Sequence, residues 1–453
     1  MLKSLSNQSI HKLMEKDVKL RKLIINDLFG HFNHVIKFKD ENITIVTAPN
    51  GYGKTICLKV IDSIFNRKLS FLCDLQFSSI ELFTSNGTLE INKNNIEERA
   101  STITLGHSDE SESHEYSREF ELSKNKKLSI HGIEVHVPFL HRVGPREWED
   151  HRTEETYTLD EVIENFSEYL PDEFTSNNYP QWYIDFSNSL NAHFVQDQRL
   201  IQRKASTQGR GRKQNFVDTI EKYASELADL IRDSGSQSSH VSQQLDTTFP
   251  VRLLTNDRSF KPKDAATLNE ELQALQNKRA DLSSFNLLSS EQHLPAMQVI
   301  AEIKDEDRKV LTLYVEDTYA KLKSYENIYK KIELFSRILN NKRLSFKKIK
   351  IEAEKGFHFE TEEKRPLKLT QLSSGEQHQV VLLYELIFKT QKNVLVLIDE
   401  PEISLHVAWQ KEFLKDLEEI IAIQNMPVVI ATHSPQIIDG KWELTVDLES
   451  GLS

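Results

Sequence analysis

Cysteine is nearly missing from this sequence. Only Cys57 and Cys73 occur among 453 residues, and neither belongs to a CxxC or Cys/His cluster. Two isolated cysteines cannot build the disulfide framework of a small secreted scaffold. Long apolar runs are missing too, because no stretch approaches the roughly 18 residues of a membrane span, and the polar N-terminus lacks the apolar core of a signal peptide. These absences predict a soluble protein of the reducing cytoplasm, without a membrane partner.

Positive charge is also in short supply. The chain has 57 lysines and arginines against 69 aspartates and glutamates, which gives a net charge of −12. Affinity for DNA or RNA comes largely from lysines and arginines that displace counterions, so the net charge does not support nucleic-acid binding, although a local basic groove stays open. The 38% hydrophobic and 28% charged content is that of ordinary globular proteins, and the length allows about two to three domains.

A glycine-rich loop follows the strand-like segments of residues 23–47. The apolar run ITIVT leads into APNGYGKT, after which ICLKVIDSIF has helical spacing. In a strand–loop–helix of this kind, backbone N–H groups surround phosphates, the lysine adds charge, and the threonine hydroxyl ligates Mg²⁺. Ala48 stands at the first glycine position of the GxxxxGK[ST] pattern, and a chance glycine turn is the alternative. The predicted phosphate-binding residues are Asn50, Gly51, Tyr52, Gly53, Lys54 and Thr55.

A second candidate site follows the apolar run VLVLI of residues 394–398. Asp399 and Glu400 come directly after this predicted strand. Carboxylates delivered by the carboxyl end of a buried strand can hold a magnesium shell and activate a water molecule, here Asp399 and Glu400 respectively. The alternative is a charged turn without chemistry. With a phosphate-binding loop upstream, the first interpretation is favoured.

A third feature is the segment LSSGEQ, which begins at Leu372 and precedes a predicted helix. Small residues and a serine hydroxyl at a helix N-terminus form an anion-binding surface. The same pattern is also an ordinary N-cap with glutamate at the third helical position. The residues concerned are Ser373, Ser374, Gly375 and Glu376.

The order of these motifs resembles that of the SMC, Rad50 and RecF-like ABC ATPases. LSSGEQ resembles the ABC signature, Asp399 and Glu400 resemble the Walker B pair, and His433, after the strand PVVIAT, resembles the switch histidine that contacts the γ-phosphate. The resemblance implies ATP and Mg²⁺ as cofactors, with Glu400 and His433 as catalytic residues. It also implies a head-to-tail dimer or higher oligomer, in which the P-loop of one copy and the signature of another clamp one ATP.

The same resemblance implies an α/β fold. This fold is an ABC-type P-loop head with a mixed sheet, flanking helices, an N-terminal antiparallel β subdomain and a helical or coiled-coil insertion. Apolar residues recur at three- and four-residue intervals between about 205 and 345, as amphipathic helices require. We therefore predict an N-terminal ATPase lobe over 1–204, a helical insertion over 205–345 and a C-terminal lobe over 346–453.

The middle of the chain carries weaker signals. The family's Q-loop glutamine, a metal ligand, fits Gln198, with Gln196 as a rival. Both glutamines fit equally well as polar residues at the end of a strand. The segment HRVGPREWEDHR has arginines beside Trp148 that suit a nucleic acid or partner, although a surface loop anchored by the tryptophan is favoured. A basic cluster after Gln198 is a phosphate contact or a solvated loop; its residues are Arg203, Lys204, Arg210, Arg212 and Lys213.

The biological role is suggested only by overall resemblance. A compact head with a modest insertion resembles the stand-alone ATPases of prokaryotic anti-phage systems such as PARIS and Septu. That resemblance implies a sensor and scaffold that controls a separate nuclease or toxin effector, with a phage-encoded trigger. Only 20 residues follow His433, so we expect no nuclease domain there. The alternatives are a RecF- or Rad50-like repair ATPase that clamps DNA and a scaffold that binds ATP without useful turnover.

Overall fold

The chain forms two compact units in the computed structural model. The first unit consists of residues 1–198, 203–216 and 390–453, and the second of residues 199–202 and 217–389. The domain boundaries expected from the sequence stay a prediction. The structure describes residues 18–96, 100–108, 118–123, 133–137, 139–145, 147–150, 155–159, 162, 166, 179–195, 201–203, 216–255, 261–288, 304–341, 344, 346–390, 392–403 and 405–448.

A parallel sheet forms the centre of the first unit. Its strands lie in the order β11-β17-β18-β3-β19, with the bounds β3 (Ile43–Thr47), β11 (Ala192–Val195), β17 (Leu395–Asp399), β18 (Val428–Thr432) and β19 (Thr445–Asp447). Every residue of β17 and β18 is buried, as expected where both faces of a parallel sheet are covered. Asp399 pairs with Ala431, and Thr432 pairs with Thr47, so the carboxyl ends of these strands share one edge.

An antiparallel sheet corresponds to the predicted β subdomain. Its strand order is β2-β1-β4-β5-β6-β7, with the bounds β1 (Leu20–Leu28), β2 (Phe32–Lys37), β4 (Ser79–Thr84), β5 (Gly87–Ile96), β6 (Ala100–Ser108) and β7 (Arg118–Ser123). Burial alternates along β4, so every second side chain enters the core. This core is continuous with the faces of β3, β17 and β18.

A smaller antiparallel sheet contains the tryptophan singled out in the sequence. Its strands are β8 (Leu140–Gly144), β9 (Glu147–Asp150) and β10 (Glu155–Thr158). Trp148 is fully buried in a separate apolar cluster, and the Arg142 guanidinium lies 6.0 Å from its ring and donates to the carbonyl oxygens of Gly144 and Pro145. Trp148 is therefore an anchoring core residue. Arg146 and Arg152 lie outside the described residues.

The described helices of the first unit flank these sheets. They are α1 (Lys54–Phe65), α2 (Ser70–Asp74), α3 (Ile133–His136), α4 (Gln181–Asn188), α10 (Val407–Gln410), α11 (Phe413–Gln424) and α12 (Pro435–Ile438), with 3₁₀ turns at Pro401–Ile403 and Trp442–Leu444. Short strands β12 (Ile201–Arg203) and β13 (Phe216–Asp218) form a separate pair.

The second unit is mostly helical. Its helices are α5 (Thr219–Leu254), α6 (Ala265–Ser284), α7 (Asp305–Lys323), α8 (Glu326–Asn340) and α9 (Ser374–Tyr384), the last preceded by a 3₁₀ turn at Leu369–Gln371 and continued by a π-helix at Glu385–Lys389. A three-stranded antiparallel sheet contains β14 (Lys347–Glu352), β15 (Gly356–Thr361) and β16 (Pro366–Leu367). Arg252 of α5 donates to both carboxylate oxygens of Asp317 of α7 at 2.7 Å.

The predicted α/β class is confirmed, and so is the presence of a helical insertion. The helical spacing between 205 and 345 becomes four long helices, of which α5 alone has 36 residues. No helix in the described part of the chain is long and apolar enough to cross a membrane.

Candidate nucleotide-binding and catalytic site

The P-loop joins the carboxyl end of β3 to the start of α1. Gly53 is the N-cap of α1 with φ 82°, and Gly51 has φ 90°, a left-handed region that favours glycine. The cap residue Gly53 has no side chain, so it supplies no capping oxygen to the first N–H groups of α1. A Cβ atom placed on Gly51 would have no neighbour within 4 Å, which leaves the outer side of the loop accessible. Such a helix start is an anion-binding site.

Lys54 is the first residue of α1, and its side chain turns back toward the loop. Its exposed fraction is only 4%, and its Nζ donates to the carbonyl oxygens of Ala48 at 2.8 Å and Pro49 at 3.3 Å. It also reaches Asn50 Oδ1 at 3.5 Å and lies 4.0 Å from Glu400 Oε1. The loop therefore surrounds one nearly buried cation, and this arrangement suits the phosphates of a nucleotide.

Thr55 and Asp399 meet although they are far apart in the sequence. Thr55 Oγ1 donates to Asp399 Oδ1 at 3.0 Å, because α1 begins and β17 ends at the same edge of the parallel sheet. A hydroxyl and a carboxylate are hard oxygen donors of the kind that Mg²⁺ prefers. No group of three or more His, Cys, Asp or Glu side chains that could hold a metal occurs among the described residues. In nucleotide sites, Mg²⁺ takes most of its ligands from phosphates and water rather than from such a group.

Glu400 adopts a strained backbone. Its φ is 39°, which a non-glycine residue rarely adopts, and its N–H donates to Ala431 O at 2.9 Å. The bond to the neighbouring strand holds this conformation. Strain of this kind is found at functional sites, where the surrounding structure fixes it. The side chain is 23% exposed beside Lys54, so it is accessible to water.

His433 contacts a residue that the sequence analysis did not identify. His433 follows β18 with its ring 47% exposed, and its Nδ1 lies 3.1 Å from Glu402 Oε1. The same oxygen accepts the His433 backbone N–H at 2.9 Å and the Thr432 hydroxyl at 2.6 Å. In the sequence, Glu402 is only the third carboxylate of Asp-Glu-Pro-Glu. The only indication of its role is spatial, because its partners are about 30 residues away.

His34 is a second residue that the sequence did not single out. It lies on β2, is almost fully buried, and donates from Nε2 to the carbonyl oxygen of Tyr52 at 2.8 Å. Its ring stacks on Phe32, whose centroid is 5.2 Å from that of Tyr52. Burial lowers the pKa of His34, although the bond to Tyr52 opposes this, so the ring is held neutral. The antiparallel sheet thus supports the P-loop from one side.

The signature-like residues belong to the second unit. Ser373 caps α9: its hydroxyl accepts the Glu376 N–H at 3.4 Å, and Glu376 Oε2 accepts the Ser373 N–H at 2.8 Å. Lys347 donates to both Glu376 oxygens at 2.7 and 2.6 Å. Burial alone would raise the pKa of Glu376, but the bonds from Lys347 and Ser373 outweigh it and lower that pKa. The start of α9 is a capping box whose acid is neutralised by a lysine.

Some predicted residues lie outside the described part of the chain. These are the candidate metal ligand Gln198, its rival Gln196, and most of the basic cluster, namely Lys204, Arg210, Arg212 and Lys213. Of Arg203, only the backbone is described, within β12.

The sequence profile of the family AAA_15, described as AAA ATPase domain, matches residues 19–438. The chain belongs to this family. This AAA ATPase domain protein is therefore an ATP-hydrolysing enzyme, and the P-loop and the carboxylates of β17 lie within the matched residues.

Other similarities of the AAA ATPase domain protein are shorter or more distant. A stretch of 70 residues is 34% identical to protein ea59 of Escherichia phage lambda, and this covers 16% of the chain and 13% of that protein. The SMC head domain from Thermotoga maritima aligns with 93% of the chain and 91% of its own, at 11% identity and a TM-score of 0.30. An SMC head bound to the C-winged helix domain of ScpA aligns with the same shares, at 12% identity and a TM-score of 0.34.

Proposed function

We propose that this ATPase is of the SMC and Rad50 type and closes around ATP together with a second copy of itself. The observation that carries the proposal is the pair of contacts at one sheet edge, Thr55 to Asp399 at 3.0 Å and Lys54 to Glu400 at 4.0 Å. They bring a phosphate-binding loop, two oxygen donors for Mg²⁺ and a water-accessible carboxylate into one unit.

Each side chain has a role that follows from its chemistry. Lys54 and the free N–H groups at the start of α1 bind the phosphates. Thr55 and Asp399 hold Mg²⁺, which neutralises phosphate charge when bound. Glu400 accepts a proton from the attacking water at its carboxylate oxygen, and its strained backbone fixes where that oxygen lies. His433 contacts the γ-phosphate through the ring nitrogen that Glu402 does not use.

The signature-like helix start supplies the other half of the site. Ser373, Ser374, Gly375 and Glu376 of a second copy contact the γ-phosphate, because small residues and N–H groups at a helix start bind anions. Lys347 supports this surface by compensating the charge of Glu376. One chain carries one P-loop and one such helix, so a head-to-tail pair holds two sites.

Glu400→Gln tests this proposal. The amide retains the shape of the side chain but cannot accept the proton, so we expect turnover to fall by about 10²- to 10⁴-fold while ATP binding persists. An ATP-bound dimer should then accumulate, visible by light scattering in ATP and Mg²⁺ and not in ADP. The exposed Glu412→Gln is the matched control and should behave like the wild type. Phosphate release at the wild-type rate from Glu400→Gln would exclude Glu400 as the base.

We further propose that the ATPase cycle controls a separate nuclease or toxin effector in anti-phage defence, in the cytoplasm. This follows from the resemblance to stand-alone defence ATPases. Transferring the gene with its neighbours to a phage-sensitive strain should lower phage plating, and Glu400→Gln should change that protection. A repair ATPase would instead show DNA-stimulated hydrolysis that weakens steeply with salt and give no protection.

A further inference from the structure

The carboxylate of Glu402 lies against the end of β18. Glu402 is only 8% exposed; its Oε1 accepts the Thr432 hydroxyl and the His433 backbone N–H, and it lies 3.1 Å from His433 Nδ1. A carboxylate oxygen so close to Nδ1 favours the ring form that carries its hydrogen on Nδ1. The other ring nitrogen, Nε2, is then the one that remains for a ligand.

The turn that carries Glu402 is held by a second buried side chain. Gln410 of α10 donates to the carbonyl oxygens of Glu402 at 3.1 Å and Leu405 at 3.0 Å, and its own Oε1 accepts the Ser434 hydroxyl at 3.0 Å. The residues on both sides of His433 are therefore tied to the turn after Glu400. This support restricts the position of Glu402, beside which the imidazole lies.

The arrangement is costly if it serves stability alone. Glu402 Oε2 is buried without a hydrogen-bond partner among the described residues. A buried polar atom left unpaired destabilises the fold, whereas an apolar residue of similar size would not carry that cost. A carboxylate at this position therefore calls for a functional explanation.

We propose that Glu402 is the positioning residue of His433. It fixes the ring direction and the Nδ1–H tautomer, so that Nε2 is directed to the nucleotide. This inference rests on the proposed role of His433 at the γ-phosphate. Glu402 itself does not touch the nucleotide and acts only through the histidine.

Kinetics on a pair of Glu402 variants tests the inference. Glu402→Leu removes the acceptor and should lower kcat by about 10-fold or more with little change in KM, as expected for loss of a residue that orients a catalytic side chain. Glu402→Gln retains an acceptor oxygen and should keep more of the activity. In a His433→Ala background, Glu402→Leu should add no further loss, since both changes remove the same function.

Additive losses in that cycle would show that Glu402 acts independently of His433 and would overturn the inference. Glu400→Gln, measured in parallel, distinguishes failure of the proposed site from failure of the role of Glu402. If Glu400→Gln retains turnover, the proposed site is wrong; if it is inactive while the cycle is additive, only the role of Glu402 is wrong.

A spectroscopic measurement tests the ring directly, and its main result comes from the unsubstituted protein. Long-range ¹H–¹⁵N spectra of histidine-labelled protein, with His433→Gln to assign the signal, report which ring nitrogen carries the hydrogen. We expect Nδ1–H for neutral His433 in the wild type, and a return to the Nε2–H form of free histidine in Glu402→Leu. An Nε2–H ring in the wild type would overturn the inference.

Discussion

Two helix starts in this molecule were both predicted to bind anions, and they differ in how their N–H groups are used. At α1, the N-cap is the left-handed Gly53, no side chain caps the helix, and the first turn has no acid. At α9, Ser373 and Glu376 bond each other's N–H groups, and Lys347 compensates the acid. The first start leaves its donors for a ligand, whereas the second satisfies two of its N–H groups, those of Ser373 and Glu376, with its own side chains.

This difference favours different tasks for the two proposed half-sites. An uncapped helix start with a buried lysine can bind a nucleotide without help. A capped start has fewer N–H groups left for an anion, so it should bind a nucleotide only together with a P-loop. We infer that ATP binds first at the P-loop and that the α9 surface joins afterwards.

The largest effect in this comparison should come from removing the cation at α1. Lys54→Ala loses a nearly buried charge that faces the phosphates, so ATP affinity should fall by about 10- to 100-fold, given the usual strength of charge-assisted hydrogen bonds. Calorimetry with ATP and Mg²⁺ measures this. Lys59→Ala, a lysine further along α1, should bind as the wild type does. Unchanged affinity in Lys54→Ala would contradict the role of the P-loop.

A smaller effect, on stability, should come from the acid at α9. Because the pKa of Glu376 is lowered in the folded state, its contribution is present at neutral pH and is lost as the pH falls through the carboxyl range. Glu376→Gln keeps the capping box but loses the ion pair with Lys347. Its free energy of unfolding should be lower than that of the wild type by about 1–3 kcal/mol at pH 7.

The stability difference between wild type and Glu376→Gln should disappear in acid. Denaturant unfolding at several pH values tests this, with the exposed Glu363→Gln as the control. A difference that stays constant from neutral to acid pH would mean that the charge of Glu376 is not stabilised in the fold.

The smallest effect should come from His34, next to the P-loop. Its pKa is lowered by burial, so the unfolded chain takes up a proton before the folded chain does. Stability is therefore complete above the ordinary pKa of about 6.5 and is lost as the pH falls below it. His34→Gln can still donate to Tyr52 O but does not titrate, so its stability should fall less between neutral and mildly acidic pH. An identical pH dependence in both proteins would exclude this role, and the exposed His31→Gln serves as the control.

Local patterns predicted much of this architecture. The apolar run before Asp399 became β17, the strand PVVIAT became β18, and the helix expected after Leu372 begins at Ser374. These elements depend on neighbouring residues, so periodicity and capping reveal them. The length of α5 was not predictable in the same way, because it continues through polar residues and includes Pro250. Its extent depends on tertiary contacts with α7 rather than on its own sequence.

The supporting residues of the site could not be read from the sequence. His34 and Glu402 become meaningful only through Tyr52 and His433, which lie 18 and 31 residues away. Neither contact leaves a local pattern, since any histidine on a strand or glutamate in a turn looks the same. The residues proposed to bind the nucleotide belong to sequence motifs, whereas the residues that hold them in place are brought there only by the fold.

The claim that one site is shared by two copies is tested most directly by mixing two inactive variants. Lys54→Ala lacks a working P-loop and Ser373→Arg lacks a working α9 surface, so each alone should be nearly inactive. In an equimolar mixture, half of the pairs contain both variants, and each of these holds one intact site. We therefore predict recovery of about a quarter of the wild-type ATPase rate for a two-fold pair. A mixture as inactive as its two components, with both variants folded and able to pair, would contradict a shared site.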